Sequence, residues 1–178
     1  MHFTLCDLVA DIAQNAAESG ANEVHATLEQ SADWFRFALA DNGRGMTENE
    51  LAKAKDPFHS DGVKHPGRSV GLGIPFLVQT ATVSGGEWSI ESRKGEGTTV
   101  RASFDLRNVD TPPLGDVPGL IRTMFLFAGP DEWVVHWIRE GNEDEEDLEL
   151  RKTELAEAVG GLESAAALNL LDQFLRSQ

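Results

Sequence analysis

Cysteine is nearly missing from this 178-residue chain: Cys6 stands alone. A lone cysteine excludes an internal disulfide and a cysteine-built metal cluster. Its place in an apolar helical stretch fits a small core residue. Basic residues are scarce too. Fifteen lysines and arginines face thirty acids, for a formal net charge of −15. Such a balance argues against a nucleic-acid-binding surface and against an anionic membrane leaflet. No stretch approaches the roughly 18 apolar residues that a membrane span requires. The opening Met-His-Phe-Thr-Leu-Cys-Asp has neither a basic start nor a long apolar run, so the expectation is a cytoplasmic, soluble protein without a signal peptide.

What is present reads as alternating helices and strands. Leu5, Leu8, Val9, Ile12 and Ala16 form one apolar stripe, which predicts a helix over 3–19 with a stop at Gly20. Val24, Ala26 and Leu28 alternate with polar partners, and 34–40 is strand-like after the Ser31-Ala32-Asp33 turn, so a hairpin is expected. Thr47-Glu48-Asn49-Glu50 has the form of a capping box. Breakers fill 56–70. A helix is predicted from near Gly73 to Gly85-Gly86, then strands over 87–93 and 98–106 joined by a tight turn. The proline-rich segment 109–115 separates a unit over 1–108 from a small α+β region over 116–178. In that region 116–128 reads as a helix and 132–139 as a strand. Residues 143–147 read as a solvated acidic loop and 148–152 as a short strand. Thr153 is expected to cap a helix to Val159, and 164–176 reads as a final amphipathic helix. Phe125, Phe127, Trp133, Trp137 and Phe174 either build the core of this region or offer a surface to a protein partner or a second copy.

Three segments carry chemistry. Asp11 and Asn15, four apart, share one helix face. An Asn amide oxygen suits Mg2+, and a carboxylate one turn away can activate a water aimed at a γ-phosphate. The pair reads equally as the polar side of an amphipathic helix. Asp41 ends a strand and enters Asn42-Gly43-Arg44-Gly45-Met46. A carboxylate there can accept from the exocyclic amine of adenine, and glycines let backbone approach a flat ring; an ordinary Asp-Asn-Gly turn is the alternative. Gly71-Leu72-Gly73, just before a helix start, suits a phosphate cradle. Lys53, Lys55, Lys64 and Arg68 outnumber Asp56 and Asp61 upstream, with His59 and His65 nearby, and together suggest a basic lid over a triphosphate. Gly95-Glu96-Gly97-Thr98 is a hairpin turn first, whose Thr98 hydroxyl can support the adenine-binding carboxylate.

In this order and spacing the segments resemble the superfamily of gyrase, heat-shock chaperone, histidine kinase and mismatch-repair ATPases, over about residues 3–106. The resemblance implies a two-layer α/β sandwich of the Bergerat type, a mixed sheet with helices on one face, with the small α+β region appended. It implies ATP and Mg2+ as ligands. By position, Asp11 matches the general-base acid, Asn15 the Mg2+ ligand and Asp41 the adenine contact. Gly43 and Gly45, with Met46 beside them, match the turn, and Gly71, Leu72 and Gly73 the phosphate loop. Lys64 and Arg68 lie in the basic segment read as the lid, and Thr98 matches the supporting hydroxyl. The 15–21 segment is similar to the mismatch-repair pattern, while 70–75 and the compact lid look like a stand-alone kinase-type domain. No helical hairpin bearing a phosphoacceptor His precedes the first helix, so a phosphoryl group is expected to pass to water or to a partner protein in trans. The alternative is a nucleotide-sensing interaction module without catalysis.

Overall fold

A computed structural model of the chain describes residues 4–56, 73–140 and 145–178. The first helix, α1 (Leu5–Ala17), begins with a capping box. The Asp7 N–H donates to Thr4 Oγ1 at 3.1 Å, and Thr4 N–H donates back to the Asp7 carboxylate at 3.1 Å. Its apolar stripe is buried: Leu5, Leu8, Val9, Ile12, Ala13 and Ala16 all face the core. Strands β1 (Glu23–Gln30) and β2 (Trp34–Asp41) form the expected antiparallel hairpin. Helix α2 (Glu48–Lys55) starts at the Thr47–Glu50 capping box. Helix α3 (Gly73–Val83) and strands β3 (Trp88–Arg93) and β4 (Gly97–Asp105) complete the first part of the chain.

Beyond it lie α4 (Val117–Leu126), β5 (Glu132–Glu140), β6 (Glu145–Arg151), α5 (Lys152–Val159) and α6 (Ala165–Arg176). The six strands among the described residues make one sheet in the order β3-β4-β2-β1-β5-β6. Every pairing is antiparallel except β1 with β5, which run parallel from Glu23↔Glu132 to Gln30↔Arg139. The fold is α+β with a mixed sheet, as the resemblance implied.

Alternation divides the two faces of the sheet. Val24, Ala26, Leu28, Phe35, Phe37, Leu39, Val100, Ala102, Phe104, Trp133, Val135 and Trp137 point to one side. There they share a core with Leu5, Val9 and Ile12 of α1, Leu77 of α3, Ile121 and Phe125 of α4, and Leu171 and Leu175 of α6. Helices therefore cover this face. The other face carries exposed cross-strand ion pairs, Arg36 with Glu29 and Arg101 with Glu91. A shallow groove of about 480 Å3 lies over it, lined by Thr27, Arg36, Ala38, Ser89, Arg101 and Ser103 among others.

The segment before α4 holds the start of α1. Leu5 and Cys6, whose N–H groups the first helical turn leaves without partners, donate to the carbonyls of Pro113 and Leu114 at 2.8 and 2.9 Å. Asp116 is in turn gripped by Arg176 of α6, at 3.1 and 2.7 Å. Cys6 is buried there, as expected of a core residue. Burial first, then the charges of Asp116 and Asp7, push its thiol up to about 12.

Two expectations for the last third need correction. The acidic run is not all loop, because residues 145–147 belong to β6, an edge strand whose register places Glu146 opposite Arg139. Acids on an edge blunt further strand pairing without preventing the strand itself. Residues 143 and 144 lie outside the described residues. Thr153 does not cap α5, whose cap position is Arg151. Its hydroxyl donates to the Glu132 carboxylate at 2.5 Å instead. Of the five aromatic residues of this region, Phe125, Trp133 and Trp137 are core, Phe127 is half-buried against Trp133, and Phe174 is exposed.

Candidate functional site

Helix α1 connects both ends of the candidate site. Asp11 and Asn15 lie on the side of α1 turned away from its buried stripe, Asp11 half-buried and Asn15 exposed. Gly73, the first residue of α3, packs against them. A Cβ at Gly73 would sit 3.3 Å from Asp11 Cβ and 3.7 Å from Asn15 Nδ2. Among the described residues, neither side chain has a hydrogen-bond or ion-pair partner, so a carboxylate and an amide stand available where α3 begins. Lys64, Arg68, Gly71 and Leu72 lie outside the described residues. Lys55, one of the basic residues assigned to the lid, turns to the sheet: its Nζ donates to the Ile90 carbonyl at 3.4 Å and lies 5.7 Å from the centre of the Trp88 ring.

Asp41 is the last residue of β2, on the helix-covered face, in register with Val24 and Thr98. Its Oδ1 accepts from Gly43 N–H at 2.9 Å and from Ser19 Oγ at 3.1 Å. The carboxyl is pushed above the ordinary aspartate range by burial, while hydrogen bonds from the Gly43 backbone, the Ser19 hydroxyl and the Thr98 backbone pull it back.

The turn after Asp41 is held from three directions. Asn42 Oδ1 accepts from Asn22 and Glu23 N–H, at 3.1 and 3.2 Å. Gly95 N–H donates to the Arg44 carbonyl at 2.7 Å. Met46 N–H donates to Ser92 Oγ at 2.8 Å, and Ser92 Oγ lies 2.8 Å from Thr98 Oγ1. Gly45 sits at φ +58, and a Cβ there would lie 1.8 Å from the Arg93 carbonyl oxygen. Gly97, at φ +104, faces the Asp41 carbonyl just as closely, with 1.9 Å to a built Cβ. Backbone approaches backbone here, and only glycine permits it.

The structure thus brings Asp11, Asn15 and Gly73 together, and separately Asp41, Gly43, Gly45, Met46 and Thr98, with α1 joining the two groups. Reading the sequence missed Ser19 and Ser92. Ser92 was findable as the residue opposite Thr98 in a hairpin whose turn was correctly placed. Ser19 left only a weak signal, a hydroxyl one residue before the helix-stopping glycine. No cluster of three or more His, Cys, Asp or Glu able to hold a metal ion exists among the described residues. A divalent cation at Asn15 would need oxygens from a ligand and water, which suits Mg2+ on a phosphate chain.

The fold belongs to a known class of ATPases. Residues 3–108 match the family model of histidine kinase-, DNA gyrase B- and HSP90-like ATPases, and the chain is a member of that family. Family membership supports ATP binding. Relatives include the sensor histidine kinase SpaK of Bacillus subtilis, 28% identical over 109 residues, which are 61% of this chain and 23% of the relative. The histidine protein kinase DivJ of Caulobacter vibrioides is 30% identical over 99 residues, 54% of this chain and 17% of its own. AfsQ2, a signal transduction histidine-protein kinase of Streptomyces coelicolor, is 28% identical over 127 residues, 70% and 21% of the two chains. The chain therefore spans about a fifth of the length of these relatives. No helix among the described residues is long and apolar enough to cross a membrane.

Proposed function

We propose that this protein binds Mg-ATP between α1, the Asp41 turn and the start of α3, and transfers the γ-phosphoryl group to water or to a partner protein. The observation that carries this reading is the pairing against Gly73 of a carboxylate and an amide, Asp11 and Asn15, that have no partners among the described residues. Ser19, two residues past the end of the same helix, reaches the Asp41 carboxylate. The Asp41 carboxylate accepts from the exocyclic amine of adenine. Asn15 donates its amide oxygen to Mg2+, which when bound neutralises charge on the β- and γ-phosphates. In hydrolysis Asp11 takes a proton from the attacking water as its oxygen bonds to the γ-phosphorus and the bond to the ADP leaving group breaks. The basic residues Lys64 and Arg68 and the Gly71-Leu72-Gly73 segment serve the phosphates. Residues 1–108 act as the nucleotide unit, and 116–178 carries the surface for a partner or second copy. A cytoplasmic setting, where ATP and Mg2+ are abundant, suits this chemistry.

Titration calorimetry with ATP, with and without Mg2+, tests binding. Heat and thermal stabilisation that saturate below millimolar nucleotide are expected; their absence rejects the reading. A second reading, a nucleotide sensor that does not turn ATP over, draws on Asp11, a shorter acid than the Glu more common at this place. Phosphate release that depends on Asp11 excludes it.

A further inference from the structure

Ser19 has no part in the chemistry above, yet it touches the adenine end of the site at several points. Its carbonyl accepts from Arg44 N–H at 3.0 Å. Its Oγ lies 3.1 Å from Asp41 Oδ1 and 2.7 Å from the Ala16 carbonyl, and accepts from Ala21 N–H at 3.3 Å. Gly43 leaves room for this side chain: a Cβ there would fall 1.9 Å from the Ser19 Oγ. Gly43 N–H donates to the same Oδ1, at 2.9 Å.

We propose that Ser19 is a positioning residue for adenine recognition: with Gly43 N–H it occupies Oδ1 of Asp41, so that Oδ2 is presented to the exocyclic amine of the base. This rests on the nucleotide reading of the pocket and adds to it a residue that selects the base. A carboxylate free to rotate presents either oxygen at any angle. Two donors converging on one oxygen, with the Thr98 backbone as a further donor to the carboxylate, remove that freedom, and a preset acceptor binds with less ordering cost.

The Ser19 proton has two acceptors within reach, the neutral carbonyl of Ala16 and the charged carboxylate of Asp41. The charged acceptor is the stronger partner. Protonating Asp41 removes that advantage, and the hydroxyl turns back to Ala16. Ser19 and the charge on Asp41 therefore support each other. Neighbouring charged groups are engaged elsewhere: Glu18 with Gln14 on α1, Glu23 with His25 on β1, Arg93 with Glu96 on the β3–β4 hairpin, and Arg44 and Lys94 toward Glu50.

The test compares the wild-type chain with Ser19→Ala by calorimetry from pH 5 to 8, using ATP and ITP, whose base carries a carbonyl in place of the amine. At pH 7.5 the variant is expected to bind ATP about three- to tenfold more weakly, the effect of one net hydrogen bond. ITP affinity should not change. On acidification, the loss of ATP affinity should begin at higher pH in the variant, because a hydrogen bond favouring the ionised carboxylate is gone. Equal ATP affinity and an unchanged pH profile overturn the proposal, as does an equal loss for ATP and ITP. A wild-type chain that binds no ATP overturns the nucleotide reading itself, and this proposal with it.

Discussion

The two ends of the candidate site are built differently. At the Asp41 end nearly every polar atom has a partner inside the protein: Asn42 to β1, Arg44 to the β3–β4 hairpin and to Ser19, Met46 to Ser92, and Asp41 to Gly43 and Ser19. Backbone crosses backbone at Gly45 and Gly97 so closely that no side chain fits. At the Asp11 end, by contrast, the carboxylate and the amide have no partners among the described residues. The first end is a rigid template and the second a pair of available groups. Recognition belongs to a template, which loses little entropy when a ligand arrives. Chemistry belongs to groups whose hydrogen-bonding capacity is not yet used. Substitutions at the two ends should therefore fail in different ways.

The largest effect is expected at Gly97. Adding a Cβ there meets the Asp41 carbonyl oxygen at 1.9 Å in a backbone conformation with φ +104. Gly97→Ala should cost about 2–3 kcal/mol of stability, a fall of roughly 5–10 °C in melting temperature for a chain of this size, and should abolish ATP binding. A variant that melts and binds like the wild type would break the picture of a template. Next comes Asp11→Asn, expected to slow phosphate release by about 100-fold or more while leaving the Kd for ATP nearly unchanged. If binding and turnover fall together, the proposed division between the ends is wrong. Asn15→Ala should weaken Mg-ATP by about tenfold, the order of effect seen when metal sites lose a supporting group, and leave metal-free ATP untouched. Calorimetry with and without EDTA separates the two.

The smallest expected effect has an unusual sign. Burial holds the Asp41 carboxyl above its ordinary value, so the folded state binds its proton more tightly than the unfolded chain does. That contribution to stability is fully present below the unfolded pKa and is lost as pH rises through the folded one. At neutral pH the ionised carboxylate is thus a burden on the unliganded fold. Asp41→Asn, whose amide oxygen can still accept from Gly43 and Ser19, should melt slightly higher than the wild type at pH 7 and lose that advantage near pH 4. ATP binding should be lost at both. A lower melting point at pH 7 would show that the charge is fully compensated inside the fold.

Much of this was legible in the sequence wherever the signal was local. The stripe on α1, the β1–β2 alternation, the Thr47–Glu50 capping box and the β3–β4 turn each lie within a window of a few residues, and each formed where expected. The parallel pairing of β5 with β1 was not legible. It joins residues more than a hundred positions apart, and nothing in either strand's pattern names its partner. The start of strand β6, residues 145–147, was hidden by composition, because acids on an exposed edge look like a solvated loop. At the site, residue types that announce chemistry, such as Asp11, Asn15 and Asp41, stand out in the sequence by themselves. The hydroxyls of Ser19 and Ser92 act only through their neighbours, so they became visible when the fold brought those neighbours close.

A crystal structure with Mg2+ and a non-hydrolysable ATP analogue tests the central claim most directly. The expected result is the exocyclic amine of the base hydrogen-bonded to Asp41 Oδ2, with the phosphates lying along α1 and the metal on the Asn15 amide oxygen. A base seated away from Asp41, or a triphosphate that leaves Asp11 and Asn15 untouched, would contradict it.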